Sequence, residues 1–101
     1  MDWKTLKRNI RKAALTKIEH CEIGEYGNLL GVGYTKIRDS YYAVGDVKRP
    51  NASGYLHGEL RSCANMLVKE VEDRLVKETK GMSDAQFAAH LDQIAAQLEA
   101  A

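Results

Sequence analysis

Cysteine, proline and long apolar runs are all scarce in this chain of 101 residues. The two cysteines, Cys21 and Cys63, form no disulfide framework, so we expect a reducing, cytoplasmic setting. No apolar run approaches the roughly 18 residues that a membrane span requires, and we expect no membrane partner. The N-terminus has basic residues but no apolar segment after them, which argues against a secretory signal.

Charge is nearly balanced over the chain but unevenly distributed. The formal net charge is +1, which by itself argues against a strongly basic nucleic-acid binder. Residues 1–50 hold ten Lys/Arg against six Asp/Glu, whereas residues 51–101 hold five against eight. With 45% hydrophobic and 29% charged residues, the composition predicts a single globular domain over 1–101. The uneven distribution favours a basic head over 1–55, facing DNA, and a protein-facing part over 56–101.

No arrangement typical of an enzyme is visible. The three histidines lie in separate segments, and no nucleophile elbow, phosphate-binding glycine loop or paired metal motif is present. We therefore predict neither catalysis nor a cofactor. The residues that could gather around a zinc or copper ion lack zinc-finger spacing, and we predict no metal site from them: His20, Cys21, His57 and Cys63.

An amphipathic helix is predicted over residues 2–20, with Asp2 as its N-cap. Its apolar residues recur at helical spacing, and a run of basic residues occupies the adjoining face: Lys4, Lys7, Arg8, Arg11 and Lys12. Two interpretations stay open. The basic residues form either a solvated face beside the core stripe or a helix that contacts DNA phosphates.

Two further helices are predicted in the second half of the chain. An apolar stripe predicts one over 57–78, and Lys80-Gly81 marks its end. Ser83 begins the other, with Gln86 as its partner in a capping box. The short connection predicts an antiparallel pair, which packs on the head or forms a homodimer through residues 57–99.

The spacing of residues between 23 and 42 is typical of a helix-turn-helix. Gly27, Gly31 and Ile37 occupy the positions of the small residue, the turn glycine and the closing aliphatic residue. This interpretation predicts a first helix over 24–31 and a recognition helix from Gly33 to about Tyr42. The fold class would then be mainly α: an N-terminal helix, a helix-turn-helix with a β-hairpin wing, and two antiparallel helices.

The same segment also permits two strands, over 29–37 and 41–47. Its glycines weaken any helix, each by about 1 kcal/mol relative to alanine. Under this alternative the chain is an α+β domain with the order helix, β-hairpin, two helices.

The order of residues in this segment resembles the winged helix-turn-helix of MerR and excisionase-like regulators. The resemblance covers about a third of the chain and rests on Ile23-Gly24-Glu25-Tyr26-Gly27, Gly31-Val32, Ile37-Arg38, Gly45, Val47, Pro50 and Gly54-Tyr55. It implies a wing around Pro50 and binding to double-stranded DNA.

Candidate DNA contacts follow from this interpretation. The recognition helix would present Tyr34, Thr35 and Arg38 to base edges and Lys36 to the backbone. The wing would place three further side chains near phosphates: Lys48, Arg49 and Asn51. The predicted function is a small DNA-binding regulator, or a recombination or packaging accessory factor of a mobile element such as a phage.

A small protein-binding module is the alternative function. Such an inhibitor or adaptor would act by docking on a larger protein. The residues available as interface anchors are the five tyrosines: Tyr26, Tyr34, Tyr41, Tyr42 and Tyr55.

Overall fold

The computed structural model describes residues 1–43, the backbone of 55–57, and residues 59–100. The elements are α1 (Trp3–Glu19), β1 (Tyr26–Leu29), β2 (Val32–Ile37), β3 (Ser40–Ala43), β4 (Tyr55–His57), α2 (Leu60–Glu78) and α3 (Asp84–Ala100). The predicted α+β alternative, with one helix before the strands and two after them, is confirmed. None of the described helices is long and apolar enough to cross a membrane.

The four strands form one antiparallel sheet in the order β1-β2-β3-β4. Directly opposed residues share a face, so the pairs Leu29–Val32 and Tyr34–Ala43 place four buried side chains on the same side. Helices α1 and α2 pack against the sheet and against each other. The core thus lies between a helical layer and one face of the sheet.

The helix-turn-helix predicted over 24–42 is not formed, because its glycines lie in strands and turns. Gly27 lies opposite Tyr34, and a Cβ at Gly27 would collide with the Tyr34 ring. Leu30 and Gly31, with φ of 52° and 83°, form the two-residue turn between β1 and β2. The side-chain amide oxygen of Asn28 accepts a hydrogen bond from the Gly31 N–H at 3.0 Å.

The helix ends follow the predicted capping. The Thr5 N–H donates to the Asp2 carboxylate at 2.8 Å, and this bond from Thr5 lowers the pKa of Asp2. At the start of α3, the Gln86 N–H donates to Ser83 Oγ at 3.2 Å, and the Ser83 N–H donates to Gln86 Oε1 at 3.0 Å. The capping box predicted from residues 83 and 86 is confirmed.

Arg74 connects α2 to the sheet. Its guanidinium donates to the Gly31 carbonyl at 2.7 Å and to Glu70 Oε1 at 3.3 Å. The β1–β2 turn is thereby held against the second half of α2. Helix α3 contacts α1 and adds Leu91 to the core, with four half-buried hydrophobic residues beside it: Phe87, Ile94, Ala95 and Leu98.

Candidate nucleic-acid interface

Helix α1 separates an apolar face from a basic one. Its buried residues recur every four positions: Leu6, Ile10, Ala14 and Ile18. The side chains on the opposite surface, which we call the basic face, are exposed: Lys4, Arg8, Arg11 and Lys12. The helix contains a single acidic residue, Glu19, in its last turn. The first three turns therefore present positive charge alone to solvent.

The four basic-face cations form no ion pair with any residue that the structure describes. Lys7, on the edge of the helix, differs, because its Nζ lies 3.3 Å from Glu72 Oε2. An ion pair would cancel the field of a cation at close range, whereas an unpaired cation retains it. The basic face therefore keeps its charge available for a polyanionic partner.

The seam between α1 and α2 extends this surface. Trp3 Nε1–H donates to Glu72 Oε2 at 2.8 Å near the start of α1. Further along α1, Arg11 and Leu15 border the same cleft as Arg61 and Asn65, near the start of α2. The two helices thus run antiparallel, and the Arg61 end of α2 lies beside the middle of α1. The sequence does not predict that Arg61 and Asn65 lie beside α1, because their position depends on this packing.

Glu72 provides a pH-dependent link within the seam. The hydrogen bond from Trp3, with a further contribution from Lys7, holds the pKa of Glu72 below its ordinary value of 4.5. A carboxylate with a lowered pKa in the folded state stabilises the fold above its ordinary pKa. That stabilisation is lost as the pH falls through the folded-state value.

Trp3 fluorescence should report this titration, since it is the only tryptophan in the chain. We expect its emission to change as acidification below pH 4.5 protonates Glu72 and weakens the bond to the indole N–H. Glu72→Gln keeps an acceptor oxygen but does not titrate, so that variant should lack the transition. An identical acid transition in both proteins would contradict the assignment to Glu72.

The residues predicted to contact DNA bases do not form a common surface. Successive residues of β2 alternate between faces, so Tyr34 and Thr35 point to opposite sides of the sheet. Tyr34 is buried in the core, and burial raises its pKa. Thr35 is 0% exposed, and its hydroxyl donates to the Glu25 carbonyl. With Thr35 fully buried and Tyr34 only 8% exposed, the strand does not present these two side chains as the predicted recognition helix would.

The remaining predicted contacts lie elsewhere. Lys36 is half-buried on β2, with its Nζ 5.3 Å from the centre of the Tyr41 ring. Arg38 is exposed in the turn between β2 and β3, where its φ is 54°. Both side chains belong to a hairpin rather than to a recognition helix. Lys48, Arg49 and Asn51, predicted for the wing, lie outside the described residues.

Both cysteines are free and buried. Burial raises the pKa of Cys63 to about 12 and also raises the pKa of Cys21. The reactive form of cysteine is the thiolate, which both shifts disfavour at neutral pH. Among the residues that the structure describes, no group of three or more His, Cys, Asp or Glu is placed to hold a metal ion.

Comparison with known proteins adds no relative. No family model, curated protein or solved structure matches this chain. The resemblance to winged helix-turn-helix regulators therefore stays a prediction from the sequence.

Proposed function

We propose that the protein binds double-stranded DNA through the basic face of α1. One observation supports this most directly: Lys4, Arg8, Arg11 and Lys12 share an exposed helix face and form no ion pairs with the described residues. Lysine and arginine contacts to phosphate oxygens supply most of the affinity of non-specific DNA binding. The near-neutral net charge of +1 means that the attraction comes from this face rather than from the whole molecule.

The dimensions of the face fit a DNA backbone. Residues 4 and 12 of one helix are about 12 Å apart along its axis, at 1.5 Å per residue. A DNA strand carries one phosphate per roughly 3.4 Å of helix axis, so this length corresponds to three or four phosphates. The face can therefore engage several phosphates of one strand at once.

Binding through this face should depend little on DNA sequence. Phosphate contacts position a protein on the duplex but do not distinguish bases. The recognition helix that was predicted to do so is a pair of strands, and Tyr34 and Thr35 are buried. We therefore propose that the protein binds the DNA backbone. Its role as a regulator or accessory factor of a mobile element stays a prediction from the sequence.

A salt titration tests the proposal. We expect random-sequence duplexes to bind at low ionic strength and to dissociate as salt rises. Four phosphate contacts correspond to a slope of about −3.6 in a plot of log K against log salt concentration. Polyglutamate, a polyanion without phosphate, is the matched control ligand and should bind more weakly. Absence of duplex binding at low salt, or binding that does not respond to salt, would contradict the proposal.

Protein docking is the second candidate, favoured by a different surface. Ile23 and Tyr26, at the β1 end of the sheet, are 66% and 54% exposed. Large exposed hydrophobic side chains that lie close together are typical of protein interfaces. If the protein does not bind DNA in the salt titration, this surface is the next one to test. Tyr26 is the tyrosine predicted as an interface anchor that lies there.

A further inference from the structure

A cleft between α1 and α2 brings two arginines together beside the basic face. It has a volume of about 390 Å³ and is lined by Arg11, Leu15, Arg61 and Asn65. We call it the α1–α2 cleft. Its described lining contains two guanidinium groups, an amide and an aliphatic side chain, and none of these described residues carries a carboxylate. That combination suits an anion attached to an apolar group.

The two arginines come from different helices, and no described residue neutralises them. Both are exposed, and neither forms an ion pair with another described residue. Two like charges that border one small cavity repel each other, so an anion between them offsets the repulsion. Further along the seam, by contrast, Glu72 neutralises Lys7. The positive charge of the seam is therefore concentrated at its Arg61 end.

The nearby acidic residues that the structure describes form no ion pair with these arginines. Glu59 precedes α2 and is exposed, and Glu19 lies one helical turn beyond Leu15; neither forms an ion pair with a described residue. The Glu59 side chain also makes no capping hydrogen bond to α2. The first-turn N–H groups thus add the positive end of the helix dipole to the field around Arg61.

We propose that the α1–α2 cleft binds one sugar-phosphate unit of the DNA backbone, an inference that rests on the proposed function. The phosphate lies between the guanidinium groups of Arg11 and Arg61, which bind phosphate oxygens in a bidentate manner. The Asn65 amide donates a further hydrogen bond, and Leu15 packs against the deoxyribose. DNA then lies across both helices rather than along α1 alone.

The first test measures duplex affinity in variants of α2 that leave the basic face unchanged. We expect Arg61→Ala to weaken binding roughly tenfold and to reduce the magnitude of the salt slope by about one. Asn65→Ala should weaken binding less, and Arg61→Lys should recover part of the loss because it restores charge without the bidentate geometry. The matched control is Lys77→Ala, at an exposed lysine of the same helix that forms no ion pair with a described residue, and it should bind as the parent protein does.

A second test does not depend on DNA. Inorganic pyrophosphate, compared with sodium chloride at equal ionic strength, should raise the Tm of the parent protein, since a ligand that binds the folded state stabilises it. The Arg11→Ala/Arg61→Ala double variant should show no such increase. Both residues are exposed, and circular dichroism should verify that the double variant folds.

The two tests together separate the possible failures. Salt-dependent DNA binding that Arg61→Ala leaves unchanged would overturn the cleft assignment while leaving the basic face as the interface. A pyrophosphate effect in a protein that does not bind DNA would overturn the sugar-phosphate occupant together with the proposed function. Weaker duplex binding in Arg61→Ala, together with no pyrophosphate effect in the Arg11→Ala/Arg61→Ala variant and an unchanged Lys77→Ala, supports the proposal.

Discussion

The double variant Arg8→Glu/Lys12→Glu should lose most of its DNA affinity at low salt. Each reversal removes one phosphate contact and places a carboxylate against the backbone, which costs roughly tenfold or more per side chain. Losing two contacts should also reduce the magnitude of the salt slope by about 1.8. Neither side chain contributes to the core or borders the α1–α2 cleft, so the fold should persist.

The control for this variant is Lys77→Glu/Lys80→Glu. Both lysines are exposed. They come after Glu72, the residue of α2 that is hydrogen-bonded to Trp3 in the first turn of α1. Each reversal removes two charge units, so both double variants take the formal net charge from +1 to −3. A loss of affinity confined to the Arg8/Lys12 variant would assign binding to the basic face. Equal losses in both would show that overall charge, rather than α1, determines binding.

Leu67→Ala should produce the largest loss of stability among single substitutions in α2. Leu67 is fully buried, in the helix that contacts both α1 and the sheet. Truncating a buried leucine removes its transfer free energy and leaves a cavity, which together cost about 2–5 kcal/mol. A domain of this size is stable by about 5–15 kcal/mol, so the Tm should fall by on the order of 10–30 °C. Thermal unfolding followed by circular dichroism measures the change.

Val76→Ala is the matched control for the core substitution. Val76 belongs to the same helix but is 66% exposed. Its truncation leaves no cavity, and alanine has the higher helix propensity, so the free energy of unfolding should change by less than about 0.5 kcal/mol. A Leu67→Ala protein as stable as Val76→Ala would contradict the placement of α2 over the sheet.

The helices could be predicted from the sequence because their signals are local. The apolar stripe of α1, the Asp2 cap and the Ser83–Gln86 capping box each depend on residues within a few positions of one another. The predicted helix 57–78 differs from α2 only at its start, since residues 55–57 pair with β3. The basic run on α1 could also be predicted, but not that Lys7 pairs with Glu72 while the four basic-face cations pair with no described residue.

The middle of the chain was harder because its key residues suit two structures. Gly27 and Gly31 match the spacing of a helix-turn-helix. In the structure, however, Gly27 lies against the Tyr34 ring, and Gly31 lies in a left-handed turn. The choice depends on the pairing of Gly27 with Tyr34, a contact between strands that residue spacing does not encode. The cleft was equally hidden, since Arg11 and Arg61 meet only after α1 and α2 pack.

The pairing of the first helix with α2 also affects how the nascent chain behaves during synthesis. Trp3 and Glu72, which are hydrogen-bonded in the folded protein, lie 69 positions apart in the chain. At translation rates of about 5–20 residues per second, Glu72 is synthesised roughly 3 to 14 seconds after Trp3. The β1–β2–β3 strands need only short turns between them and can pair earlier. Until α2 has been synthesised, the part of the α1 apolar stripe that α2 covers in the folded protein lacks its partner, and we expect chaperones to bind there.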